Sequence, residues 1–220
     1  VKWETPWHGL EALLNGRNLA LGLAVLFLAR TNGLLYLINT IDDRELIERS
    51  GSKLLMNAIA FLVFFLFFVI TLLVSEGFAY DQATGTVSME NFKYLHNLLQ
   101  MPLVLILFLA GVVGVLYGIG ITMFKGNRTG IWYTGSGTVL AVLALFLVAG
   151  FNGTAYYPSS YDLNSSLTIN KASSSLFTLK TMMFVSFIVP FVIGYIWYAW
   201  KSINNKRITE EEMKTEGHIY

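Results

Sequence analysis

Long apolar runs separated by short polar stretches dominate the chain. Five runs reach the roughly 20 residues that a helix needs to cross about 30 Å of hydrocarbon. They are residues about 18–41 (span A), 54–75 (B), 102–124 (C), 131–151 (D) and 177–200 (E). Span B, LLMNAIAFLVFFLFFVITLLVS, is apolar all round, and C and D are similar but richer in glycine. The pattern predicts an all-α fold: a polytopic transmembrane bundle of five spans over residues 1–200, with a tail over 201–220. Between A and B, DDRELIERSGSK reads as a solvated connector of mixed charge. KGNRTG, between C and D, reads as a tight turn that makes those helices antiparallel neighbours. The B–C and D–E intervals, about 76–101 and 152–176, are longer.

Composition agrees with this class. Of 220 residues, 55% are hydrophobic and 13% charged, against about 25% charged in an average soluble domain. The net charge of +1 and the lack of Lys/Arg clusters give no surface for nucleic acid. The chain has no cysteine, which excludes disulfides, iron–sulfur clusters and thiolate sites. It opens at Val1 with no basic stretch before an apolar one, so no signal peptide is visible, and it reads as mid-chain sequence from a fragment or processed product.

Charge placement predicts orientation. Arg44, Arg49, Lys53, Lys125, Arg128, Lys201, Lys206, Arg207 and Lys214 fall on one side, and Lys2, Arg17, Lys93, Lys171 and Lys180 on the other. The richer side belongs in the cytoplasm, so the N-terminus is expected outside and the C-terminus inside. Trp132, Tyr133, Trp197, Tyr198 and Trp200 sit at span ends, where such rings anchor in the headgroup layer or face a partner.

Gly114 and Gly118 of span C, and Gly137 and Ala141 of span D, have small-xxx-small spacing, which favours a tight C–D hairpin over a close cofactor or lipid approach. Pro190 lies mid-span in E and cannot donate to the Ser186 carbonyl, so a kink is expected, with the Ser186 hydroxyl or a neighbouring helix compensating. In the tail, Thr209 and Glu212 have capping-box spacing and predict a short helix.

The chemistry is sparse. His8, His96 and His218 all lie outside the spans. Met56, Met101, Met123, Met182 and Met183 form no mid-depth pair that would suit a haem iron, so no haem ligand is expected from this chain. No carboxylate lies at mid-depth. Arg30 does lie there, about 18 Å from either end of span A at 1.5 Å per residue. A charge so placed costs at least about 2.5 kcal/mol unless paired or hydrated. Arg30 and Asn32, with Thr31 between them, therefore form a candidate intramembrane polar site. It reads either as a tie between helices or as a charge tuning a nearby proton or electron site. Nucleophile-elbow, zinc-protease and Walker motifs are absent.

The D–E interval and span E carry a more specific signal. They contain Pro158-Ser159-Ser160, Ser166-Leu167-Thr168-Ile169, Ala172-Ser173-Ser174 and Thr178-Leu179 ahead of Pro190, and the tail holds Arg207-Ile208-Thr209, an acidic stretch and His218-Ile219-Tyr220. This order resembles the last loop, last helix and tail of cytochrome bd-type quinol oxidase subunit II. The resemblance implies that the chain supplies the last five of that subunit's nine helices. It implies a terminal oxidase of the bacterial or archaeal cytoplasmic (inner) membrane that oxidises quinol and reduces oxygen to water. In that family two b-type haems and one d-type haem sit in subunit I, and subunit II is its haem-free partner. Some members hold a structural quinone in subunit II, and no motif here carries residues over to it. The rival reading is a transporter or permease with Arg30 facing an anionic substrate, and a third is a membrane scaffold. Neither rival accounts for the D–E interval.

Overall fold

The computed structural model describes residues 6–7, 10–159, 161–203 and 208–209. After a 3-10 turn at Leu10–Leu14 come α1 (Gly16–Thr40), β1 (Ile41–Asp42), α2 (Arg44–Val74), β2 (Gly77–Tyr80), β3 (Val87–Glu90), α3 (Lys93–Gln100), α4 (Pro102–Lys125) and α5 (Gly130–Gly150). A second 3-10 turn at Leu163–Ser165 is followed by α6 (Ile169–Ala172), α7 (Leu176–Ser186), α8 (Val189–Ile203) and β4 (Ile208–Thr209). Helices α1, α2, α4 and α5 and the α7–α8 pair are long and apolar enough to cross a membrane. The protein is thus an all-α, multi-pass membrane bundle.

Capping sets the helix starts. The Asn15 side chain accepts the Arg17 N–H at 2.9 Å and opens α1. Asp43 Oδ1 accepts the Leu46 N–H at 3.1 Å and opens α2. Helix α2 therefore starts ten residues before span B, and the expected A–B connector shrinks to Ile41–Asp43. The charges that suggested a loop are i,i+4 pairs on an exposed helix surface: Arg44 with Glu48 at 2.9 Å, and Glu45 with Arg49. At 31 residues α2 is about 46 Å long, so its first turns stand clear of a 30 Å hydrocarbon layer. Pro102 opens α4, and Gly126, at φ 62°, ends it in the left-handed conformation that glycine tolerates.

Helices α1 and α2 run antiparallel, with Phe27 and Phe64 stacked at 5.9 Å. Their buried faces meet α4 in one core of Ala24, Leu35, Ile38, Leu54, Phe61 and Val115. Helices α4 and α5 form the close hairpin that the small residues predict. A Cβ on Gly118 would lie 2.5 Å from the Gly130 carbonyl oxygen, and one on Gly111 would lie 2.5 Å from the Ala141 nitrogen.

At one end of the bundle, here the hairpin end, β2 and β3 pair antiparallel with Gly77 opposite Glu90 and Tyr80 opposite Val87. Gly77 permits the approach of α3, because a Cβ there would sit 2.6 Å from Lys93 Cβ. The D–E interval joins this layer through the Ala79–Thr154 bridge and folds on itself through Tyr157–Leu167. At the opposite, tail end, Arg128 Nη1 donates to Asp42 Oδ1 at 2.7 Å and ties the α4–α5 turn to β1. Strand β4 pairs parallel with β1, Ile41 opposite Ile208 and Asp42 opposite Thr209. Thr209 is thus extended; Glu212 and the expected tail helix lie outside the described residues.

The last span departs most from a simple helix. It breaks at Phe187 and Ile188, just before Pro190, and α8 restarts with Phe191 and Val192 N–H donating to the Ile188 carbonyl. The kink is present, but the Ser186 hydroxyl does not relieve it. That hydroxyl donates backward to the Met182 carbonyl at 2.8 Å, and no neighbouring helix of the described residues covers the break. Thr178 and Ala199 are half-buried, and every other residue of α7 and α8 is exposed.

Candidate intramembrane site and partner interface

Helix α1 buries Ala20, Ala24, Thr31, Leu35 and Ile38 along one stripe. Arg30 precedes this stripe by one position and is exposed, on the outer surface of the bundle. Asn32 is half-buried, and its Oδ1 is buried without a hydrogen-bond partner. Residues two apart on a helix do not face one another. The two members of the candidate site therefore serve different sides of α1, and only Arg30 presents to the outside. Thr31, between them, is fully buried and satisfies its hydroxyl on the Phe27 carbonyl at 2.8 Å. Among the described residues, no hydrogen bond or ion pair reaches the Arg30 guanidinium.

Asn57 of α2 was not legible as a site residue. It is 1% exposed, its Nδ2 donates to the Lys53 carbonyl at 2.7 Å, and its Oδ1 is buried and unpaired. A small apolar cavity of about 40 Å³ lies between α1, α2, α4 and α5, lined by Leu28, Phe61, Phe65, Val115, Ala141 and Leu145 among others. Small-molecule pockets start near 300 Å³, so this void is a packing gap.

The serine- and threonine-rich interval is a set of local locks. Ser166 is buried and its Oγ accepts the Ser159 N–H at 3.0 Å, while Pro158 leads into that contact. Leu167 exchanges backbone bonds with Tyr157. Thr168 is buried and its Oγ1 accepts the Lys171 N–H, opening α6. Ser173 donates to the Ile169 carbonyl at 2.5 Å, and Ser174 is exposed. Ser160 lies outside the described residues. Short hydroxyl side chains suit such locks because they reach nearby backbone groups, three or four positions away at Thr168 and Ser173 and seven at Ser166.

Two further clusters hold the hairpin end. Asn97 is fully buried; its Nδ2 donates to the Val148 carbonyl at 2.9 Å and to Thr154 Oγ1 at 2.7 Å, and its Oδ1 accepts from Asn152. Glu90 meets His96 Nδ1 at 3.0 Å and Lys93 Nζ at 3.3 Å. The bond to His96, helped by the Lys93 charge, holds the Glu90 carboxyl below the usual carboxylate range against the opposing effect of its partial burial.

A sequence model of the family described as cytochrome bd terminal oxidase subunit II matches residues 3–203. The chain belongs to this family. It is therefore a subunit of a cytochrome bd terminal oxidase complex and carries the transmembrane helices of a respiratory-chain component. None of the curated proteins matches the chain significantly.

The family's complex contains haem, so the donors of this subunit II chain bear testing against an iron. His96 is the one histidine among the described residues, and its ring is engaged with Glu90 at the hairpin end. His8 and His218 lie outside the described residues. Met56, Met182 and Met183 are exposed and Met101 and Met123 half-buried, on four different helices or their caps. Among the described residues, no group of three His, Asp or Glu side chains gathers to hold a metal.

Proposed function

We propose that the chain is a non-catalytic part of a quinol:oxygen oxidoreductase, packing against and stabilising a haem-bearing subunit I. In this reading the partner holds haem b and haem d, quinol is oxidised there, and oxygen is reduced there to water. The complex resides in a bacterial or archaeal cytoplasmic membrane. The hairpin end faces outside, and residues 201–220 form the tail on the cytoplasmic side, as the Lys/Arg bias favours.

One observation carries the reading beyond the family match. The fifth span is tied to the rest of the chain at its ends, by the Tyr36–Trp200 ring contact at 6.4 Å at one end and the serine-rich loop at the other, yet buries almost none of its length. A broken helix with unbonded carbonyls is disfavoured in lipid and is tolerated where protein covers it. A subunit interface supplies that cover. The transporter reading has Arg30 facing an anionic substrate; Arg30 lies on the outer surface of the bundle and lines no cavity among the described residues, which does not favour it.

The test is purification of the tagged, full-length subunit in mild detergent from its native membrane, with a reduced-minus-oxidised visible spectrum. Co-purification of a larger polypeptide with b- and d-type haem bands and quinol oxidase activity supports the reading. A colourless protein purified alone overturns it.

A further inference from the structure

We propose that the void between α1, α2, α4 and α5 is a binding site for a small apolar gas, with dioxygen as its natural occupant. The choice of dioxygen rests on the oxidase reading above; the gas site itself rests on the walls of the void.

Those walls belong to this chain. Leu28 of α1, Phe61 and Phe65 of α2, Val115 of α4 and Leu145 of α5 surround about 40 Å³. Phe61 and Val115 are buried and the other three half-buried, so the space is defined by the packing of four described helices. Leu28 stands twelve residues from either end of α1, about 18 Å along the axis. The void therefore lies at mid-depth in the hydrocarbon layer.

Size and polarity select the occupant. A quinol or another organic ligand needs a pocket of roughly 300 Å³ or more. One water needs roughly 10–15 Å³ of such space, so water is small enough to enter, but it finds no partners. A buried water makes about three hydrogen bonds. Thr138 supplies the one hydroxyl in the lining, and that hydroxyl already donates to the Thr134 carbonyl at 2.7 Å. The other lining side chains are Leu, Phe, Val and Ala. Apolar cavities stay dry and take xenon or an apolar ligand. An empty void forfeits dispersion contacts, and a gas restores them without stripping water from any polar group.

A route in is also present. Leu116 of α4 and Val142 of α5 border the void and are exposed on the surface of the bundle. Both are apolar, so a gas dissolved among acyl chains meets no polar barrier there. Apolar solutes favour hydrocarbon over water, which makes this layer the reservoir from which a membrane enzyme meets dioxygen.

The experiment uses the full-length subunit in its native complex. Crystals are pressurised with xenon and the gas is located by anomalous scattering. The expected result is a xenon peak between Phe61, Val115 and Leu145, lost in the cavity-filling variant Leu145→Phe. If that variant fails to assemble, the unmodified complex decides alone. For dioxygen, fluorophenylalanine is placed singly at Phe61 or at the exposed Phe67. Dissolved dioxygen, being paramagnetic, should speed the fluorine relaxation at both positions, and xenon should relieve it at Phe61 only. Absence of xenon from the void, or acyl-chain or protein density within it, overturns the gas site. Bound xenon with no relief at Phe61 overturns dioxygen as the occupant. A complex that takes xenon there but carries neither haem nor quinol oxidase activity sinks the oxidase reading and leaves the gas site standing.

Discussion

Gly137 of α5 packs directly on Gly111 of α4: a Cβ built on Gly137 would lie 2.6 Å from the Gly111 carbonyl oxygen. Neither backbone can retreat without opening the hairpin. Overpacking of this kind costs typically about 1–3 kcal/mol. Gly137→Val is therefore expected to lower the thermal midpoint of the purified complex, whereas Gly120→Ala, whose Cβ would have only Phe124 at 3.9 Å, is expected to leave it unchanged or raise it. Equal midpoints for both variants would sink the close-packing account.

Asn97 bonds to α5 and to the loop beyond it. Asn97→Ala strands the Val148 carbonyl and the Thr154 hydroxyl, both buried. Leaving buried polar groups unpaired costs about 1–3 kcal/mol each. The expected outcome is faster hydrogen exchange over residues 152–157 and over α3, with α1 and α2 unaffected.

Acid should loosen the β2–β3 hairpin. The Glu90 carboxyl is held below its ordinary value, near 4.3 for a free glutamate, first by His96 and then by Lys93. A depressed carboxylate contributes stability that is fully present above the unfolded value and is lost as pH falls through the folded one. Hydrogen exchange at Val87–Glu90, corrected for intrinsic rates, is therefore expected to accelerate below about pH 4.3. Glu90→Gln should flatten that dependence. A profile identical in both proteins would assign the acid response elsewhere.

Pro190→Ala restores an N–H for the Ser186 carbonyl. With the obstacle of about 3 kcal/mol or more removed, α7 and α8 should merge. Spin labels at Leu176 and Ile203 should then move apart, toward the roughly 40 Å that 27 residues of continuous helix span. An unchanged distance would mean that the break at Phe187–Ile188 is imposed by something other than the proline.

Much of this architecture was legible in the sequence. Five spans, the C–D hairpin and the Pro190 kink follow from run length, small-residue spacing and a missing donor, all properties of one segment at a time. The subunit II family was legible too, because the order of hydroxyl residues from Pro158 to Thr178 reflects turns that each satisfy their own backbone. The A–B connector was misread since charge alone does not distinguish a loop from a helix with i,i+4 pairs; the Asp43 cap and the Arg44–Glu48 spacing were the available signal.

The sequence by itself determined that these residues hold five apolar spans, with an arginine at mid-depth in the first of them, because the bilayer imposes a length and a polarity that each helix meets independently. Tertiary structure alone decided which way that arginine faces, that Asn32 turns to another side, that Asn97 ties α3 to α5 and to the loop after it, and that the last span stands uncovered among the described residues. Those outcomes depend on rotation and neighbours across separations of 50 residues and more, as between Asn97 and Val148. No local pattern encodes them.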